Sequence, residues 1–293
     1  MVEETEVNEC LALRKFFKIN CPSLEDCIKE GPPAYSYFKD KQGRGCWIAH
    51  TALTIIETLS LLDIAQGVLS RRNLDEECLI AISFLHDIGK LTVEYIKDGD
   101  PYHNIASATI SLSVLKDPPF DEDKALMMTQ AILLHHEHRM WEKFYRDDAP
   151  LIRDYFNLIK KYKRPYRMKN NYSSILDKLV EVVDDFPLAR GVIEELSKKL
   201  KEEERYFLDP RYELKLIRWR LAPFSLVLYY LIQLADNRAA SARGGTYWKE
   251  KIKERIRNIG DASDPIALSD ALAKVKDRDR RILLTLITLG REE

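Results

Sequence analysis

The sequence has no apolar run long enough to cross a bilayer. The longest, LAPFSLVLYYLIQLA at 221–235, is too short and is interrupted by Pro223, which makes it a buried helix instead. No membrane partner is expected. Cysteine is scarce: Cys10, Cys21, Cys27, Cys46 and Cys78 are odd in number and form no CxxC pair. Nothing reads as a secretory leader, so these are expected to be mostly inert thiols in a reducing cytoplasm. Excess charge is missing as well. Lys, Arg, Asp and Glu make up 32% of the chain yet nearly cancel, to −1, so any basic footprint must be local. High charge with only 11 glycines fits an ion-paired surface of the kind thermophiles use. No GxxxxGK[ST] phosphate loop is present, which argues against a P-loop motor.

Alternating Val/Thr-rich runs are rare too, which leaves little room for sheet. Apolar residues instead recur every three or four positions. They predict helices near 46–67, 74–88, 103–115, 122–137, 149–161, 173–186, 189–205, 212–237, 246–258 and 266–289. Turn chemistry separates them in KDGDPY (97–102), KDPPFDE (116–122), RPY (164–166) and DASDP (261–265). The expected fold is all-α. At 293 residues we expect one domain, 1–293, with core motifs in 45–139 and 212–245 and a charged helical insertion over about 140–211.

The six histidines all lie between 50 and 138. They are His50 in GCWIAHTALT, His86 in FLHDIGK, His103 in DPYHNIASA, and His135, His136 and His138 in AILLHHEHRM. Several precede or end apolar helical stretches, so their rings should point inward. One such ring is ordinarily a packed or solvated histidine; an ordered set is not. The stretch AISFLHDIGKLTVEY (81–95) places Asp87 between apolar flanks. A chain buries a carboxylate only against a salt bridge, a cap or a metal ion.

The order His50, His86-Asp87, Lys90, His103, His135-His136 and a late Asp in LIQLADNRAASARGG resembles the HD superfamily of metal-dependent phosphohydrolases. The resemblance covers about 45–241, and HDIGK is its most specific part. It implies an HD-domain helical bundle holding two divalent metal ions, among manganese, nickel, cobalt, iron and magnesium. His50, His86, Asp87 and Asp236 would hold one ion. Asp87 would bridge to a second, held by His103, His135 and His136. The chemistry is consistent: imidazoles suit transition metals, a carboxylate can join two cations, and so many ligands exceed what one catalytic ion with open positions takes. The resemblance implies that Asp87 is catalytic through this bridge and that the metals activate water as hydroxide.

Some assignments stay open. Gly89 reads as a helix stop that releases Lys90 beside the dyad. Lys90 is then either a lysine snorkelling to the surface or, as the resemblance favours, a catalytic phosphate ligand. Asp184 and Asp185 in VEVVDDFPLAR compete with Asp236 for the distal position. Ser241 either packs or hydrogen-bonds near the metals, and His138 has no assigned role.

The superfamily contains several substrate branches. AYSYFKDKQGRGCWIAH, then HDIGKL, HH and ADNRAAS, most resemble the CRISPR-associated HD nuclease that exists as a separate chain in type I interference systems. That implies cleavage of single-stranded DNA, alongside a separate helicase subunit and an RNA-guided interference complex. KKYKRPYRMKNNY (160–172) interleaves basic and aromatic residues, as a strand-tracking groove does. Its candidate nucleic-acid contacts are Lys160, Lys161, Tyr162, Lys163, Arg164, Tyr166 and Arg167; the alternative is a solvated surface loop. The second branch is an HD-type nucleotide phosphohydrolase or cyclic dinucleotide phosphodiesterase. HHEHRMWEKFY lacks the DGxGYP continuation of the HD-GYP enzymes, which weighs against the latter. A scaffold with a structural metal would more commonly use four ligands including Cys.

Overall fold

Three helices in this chain begin where a short acidic or hydroxyl side chain takes a free main-chain N–H. Asp75, Thr92 and Asp121 accept from the N–H of Cys78, Tyr95 and Lys124 at 3.0, 3.4 and 2.8 Å. Glu76 and Glu77, and Glu122 and Asp123, then lie at the positive ends of the two longer helices. The computed structural model describes residues 37–39, 42–44, 47–59, 61–99, 102–117, 119–136, 160–161, 164–168, 172–173, 176–177, 180, 186–202, 205–208, 210–216 and 222–241.

The fold is all-α. Among the described residues, two minimal antiparallel ribbons accompany the helices: β1 (Tyr37–Lys39) with β2 (Gln42–Arg44), and β3 (Tyr166–Arg167) with β4 (Arg205–Tyr206). Among the described residues, the helices traced over six or more residues are α1 (Trp47–Leu59), α2 (Leu62–Leu69), α3 (Glu76–Leu85), α4 (Val93–Asp98), α5 (His103–Leu115), α6 (Glu122–Leu134), α7 (Pro187–Lys201), α8 (Pro210–Leu216) and α9 (Ala222–Ser241). Short 3-10 turns occupy Ser70–Arg72 and Ile88–Leu91.

The main packing pairs close into a circuit. α3 lies on α1, α1 on α9, α9 on α6, α6 on α5, and α5 on the 3-10 turn that follows α3. Inside it, α5 is buried on nearly every side, and its Ala106, Ser107, Ala108 and Ser111 let neighbouring backbones approach. α7 presents Ala189, Val192, Ile193, Leu196 and Leu200 to α3 and α5. These residues, with Tyr166, Met168, Tyr206 and Leu208, belong to the same apolar core as α3, α5 and α9. The stretch expected as a charged insertion therefore buries apolar side chains in the common core.

Several expected boundaries shift for local reasons. The helix expected over 46–67 is two helices, α1 and α2. The one expected over 74–88 stops at Leu85, where the His86 ring bonds to the Ser83 carbonyl and Asp87 leaves helical geometry (φ −110°, ψ 11°). Of the helix expected over 212–237, the described residues form α8 and α9, with Pro223 in the first turn of α9, where a missing N–H costs nothing. Helix α4 and both ribbons were not expected. KDGDPY does end a helix, through Gly99 in the left-handed region (φ 63°). The helices expected over 246–258 and 266–289 lie outside the described residues.

Candidate metal centre

Five parts of the circuit deliver the His/Asp set. α1 brings His50; the end of α3 brings His86 and Asp87; α5 begins with His103; α6 ends at His135 and His136; α9 supplies Asp236 in its last third. Asp87 is fully buried at the centre. Its Oδ2 lies 3.2 Å from His50 Nε2 and 3.4 Å from His86 Nε2, while Oδ1 lies 3.1 Å from His103 Nε2 and 3.5 Å from His135 Nε2. Asp236 Oδ1 meets His50 Nε2 at 2.8 Å and His86 Nε2 at 3.9 Å. His136 Nε2 approaches His103 Nε2 to 2.6 Å.

The atoms fall into two groups that share one residue. His50, His86, Asp87 and Asp236 form one; Asp87, His103, His135 and His136 form the other. Within each, the atoms on offer all lie within 4.8 Å of one another. Bonds of about 2.0–2.2 Å from N and O ligands to a metal put ligands roughly that close.

Tautomers test whether cations fit. His86 Nδ1 lies 2.6 Å from the Ser83 carbonyl, and His135 Nδ1 lies 2.6 Å from the Ile132 carbonyl. A carbonyl only accepts, so each Nδ1 carries a proton, which in the neutral ring leaves the Nε2 lone pair to serve a ligand. Those two Nε2 atoms, and Asp87 Oδ1, are buried with no hydrogen-bond partner. Lone pairs facing a carboxylate repel unless a proton or a cation lies between them. The donor set of imidazole and carboxylate suits a transition metal.

Charge reinforces this arrangement. Burial would raise the Asp87 carboxyl, but Lys90 beside it and His86 hold it well below the usual carboxylate range. Asp236 behaves likewise: burial opposes ionisation, and the His50 hydrogen bond overcomes it. Burial and the Lys90 charge push His103 down to about 4, and burial with His135 and His103 pushes His136 well down. Both rings are neutral at physiological pH, as ligands must be. His86 goes the other way, since Asp87 outweighs the effect of burial.

Lys90 is buried rather than snorkelling, and its Nζ is 2.5 Å from Asp87 Oδ2. Gly89 proves to be something other than a helix stop. A Cβ there would sit 2.3 Å from the His103 carbonyl oxygen and 2.7 Å from the Ser107 nitrogen, so the turn rests directly on α5. The Gly89 N–H donates to Ser107 Oγ at 2.8 Å.

Asp236 stands in the cluster; its competitors Asp184 and Asp185 lie outside the described residues, as do His138 and the Ser241 side chain. Of the basic segment, Lys160, Lys161, Arg164 and Arg167 are exposed, and Tyr162 and Lys163 lie outside the described residues. Tyr166 is a correction: its ring is 1% exposed and packs in the core, so no base can stack on it.

Supporting residues went unread in the sequence. Trp47 donates its indole N–H to the Asp87 carbonyl at 3.1 Å, from the same helix face as His50. Asn104, beside His103, donates to the Leu133 carbonyl at 2.7 Å and ties α5 to the end of α6. Tyr95 sets its ring edge-on to His103, centroids 5.2 Å apart. Arg238 and buried Glu57, 3.0 Å apart, pin α9 to α1. The one signal available was spacing: Trp47 precedes His50 by a helical turn.

A comparison with protein families matches the HD domain to residues 53–186. No curated protein and no solved structure matches the chain significantly. The HD-domain match over 53–186, together with a His/Asp cluster positioned for metal, supports a metal-dependent phosphohydrolase. Among the described residues, no helix is long and apolar enough to cross a membrane.

Proposed function

We propose that this HD domain is a metal-dependent nuclease that hydrolyses phosphodiester bonds in single-stranded DNA, as the separate nuclease chain of a CRISPR interference system. The observation that carries the hydrolytic reading is the pair of ligand groups sharing Asp87, buried and lined with imidazole lone pairs. Two divalent cations bound there supply Lewis-acid stabilisation of the phosphate charge and a lowered pKa for water.

The remaining work belongs to side chains. Asp87 divides its oxygens, Oδ2 toward His50 and His86 and Oδ1 toward His103 and His135, which sets the spacing of the two groups. The Ser83 and Ile132 carbonyls lock the His86 and His135 tautomers, so both Nε2 atoms point at the centre without rearrangement. Lys90 holds Asp87 ionised and keeps an ammonium at the centre, with further protons to offer a phosphate oxygen. No side chain attacks phosphorus in this reading; water does.

The strand-cleaving branch is supported by the order of the motifs and by exposed Lys160, Lys161, Arg164 and Arg167 in one basic stretch. A separate helicase and an RNA-guided complex are the partners this reading implies. The test is the purified chain, stripped and reloaded with manganese, nickel or magnesium, offered single-stranded DNA, duplex DNA, cyclic di-GMP and deoxynucleoside triphosphates in parallel. Cleavage of the single strand above the others is the expected result. Turnover of the cyclic dinucleotide or the triphosphates alone overturns the nuclease assignment in favour of the second branch, and no turnover with any metal overturns both.

A further inference from the structure

The β3–β4 ribbon has two unlike faces. Along 165–168 and 205–208, burial alternates as a half-buried ribbon requires. Tyr166, Met168, Tyr206 and Leu208 enter the core, and Arg167, Arg205 and Phe207 face outward. The register pairs Arg167 directly with Arg205. Like charges directly opposite weaken a ladder, and among the described residues neither guanidinium has an ion-pair or hydrogen-bond partner that offsets this. Phe207, two residues from Arg205, is 62% exposed and is the one large apolar side chain so exposed among the described residues. Neither the opposed arginines nor the bare ring helps the fold, so this face is better explained by what it meets.

The ribbon is also fastened to the metal centre. Met168 bridges to Thr92, and Thr92 Oγ1 donates to the Gly89 carbonyl at 2.6 Å, inside the turn that holds Lys90. A ligand on the outer face is thereby held by a strand continuous with the site's own scaffold.

We infer that Arg167, Arg205 and Phe207 form a docking track for single-stranded nucleic acid, the two guanidiniums seating successive phosphates and Phe207 stacking on an unpaired base. The inference rests on the phosphodiesterase reading for what the strand is delivered to. The chemistry selects the class. Paired arginines complement a phosphate backbone, and an exposed ring needs a free π-face, which a single strand offers and a duplex hides. It also moves the stacking role from buried Tyr166 to Phe207.

The test is fluorescence anisotropy with fluorescein-labelled oligothymidylate and the full chain, kept in chelator so that nothing is cut. Wild type is compared with Phe207→Ala and with the double variant Arg167→Glu/Arg205→Glu over a salt series, thermal melts verifying the fold of each. Phe207→Ala is expected to weaken binding about tenfold, within the range that loss of one stacked base produces. It should have no effect on an abasic strand of equal length. The double variant should weaken both and flatten the slope of log affinity against log salt by about 1.4, from two lost phosphate contacts. Wild-type binding unchanged in either variant overturns the track. So does an equal effect of Phe207→Ala on the abasic strand. Absence of any strand binding by wild type overturns it too. Hydrolysis of a small chromogenic phosphodiester by metal-loaded wild type is scored separately, so failure of the track and failure of the hydrolase reading give different results.

Discussion

The indole N–H of Trp47 and the main-chain carbonyl of Asp87 are joined by a 3.1 Å hydrogen bond between residues 40 positions apart. Trp47 is fully buried and meets Phe84 edge-on, ring centroids 5.9 Å apart. It fixes the backbone of the residue on which both ligand groups depend. Trp47→Phe keeps an aromatic ring but leaves that buried carbonyl without its donor. We expect a loss of about 1–3 kcal/mol in chemical denaturation. Metal affinity, measured by chelator competition, should fall as well. Unchanged affinity would limit Trp47 to packing.

Asp87 and Asp236 differ in how many groups they serve, one being shared and the other not. Asp87→Ala should lower metal content at both groups and abolish turnover while the helical circular dichroism signal survives. Asp236→Ala should spare the group of His103, His135 and His136. Metal analysis of the two purified variants checks this directly. Equal retention of metal in both would contradict the bridging geometry.

Two glycines should respond in opposite ways to the same substitution. At Gly89 a methyl group meets main-chain atoms of α5, which cannot swing aside, so Gly89→Ala should cost roughly 3 kcal/mol or more. At Gly191, inside α7, a methyl group meets nothing within 4 Å. There Gly191→Ala should stabilise by about 0.5–1 kcal/mol, since a helix interior favours Ala. Denaturant midpoints decide both.

Acid should destabilise the metal-free protein. An unfolded imidazole takes up its proton near 6.5, whereas His103 in the folded state waits until about 4 and His136 is shifted the same way. Between those values the unfolded chain binds more protons, so stability falls as pH falls from about 6.5 toward 4. His86, shifted upward, offsets part of this by favouring the folded state at low pH. The depressed carboxylates of Asp87 and Asp236 lose their contribution only below their ordinary 3.8, outside the window. Thermal melts in chelator across that range should show the decline; a flat profile would mean that the imidazoles are not held neutral by burial.

Much of the architecture was legible in residue order. The helix over 103–115 appears with the expected bounds, because a run of small and apolar residues flanked by KDGDPY and KDPPFDE leaves few alternatives. The His and Asp positions stood out because a buried carboxylate between apolar flanks demands a counter-charge. Lys90 could not be assigned from spacing, since a lysine there can equally follow its stem to the surface. Only the Asp87 contact places it inside. Tyr166 misled for a related reason: an aromatic among basic residues looks like a stacking platform until strand alternation turns it inward.

The sequence by itself determined the all-α class, the donor types and their order, because these follow from local periodicity and from the price of burying charge. The tertiary structure decided how the donors divide into two groups about Asp87, why Gly89 must lack a side chain, and which face of the β3–β4 ribbon meets solvent. Those are relations between segments far apart in the chain, set by which helix faces pack together, and no local pattern encodes them.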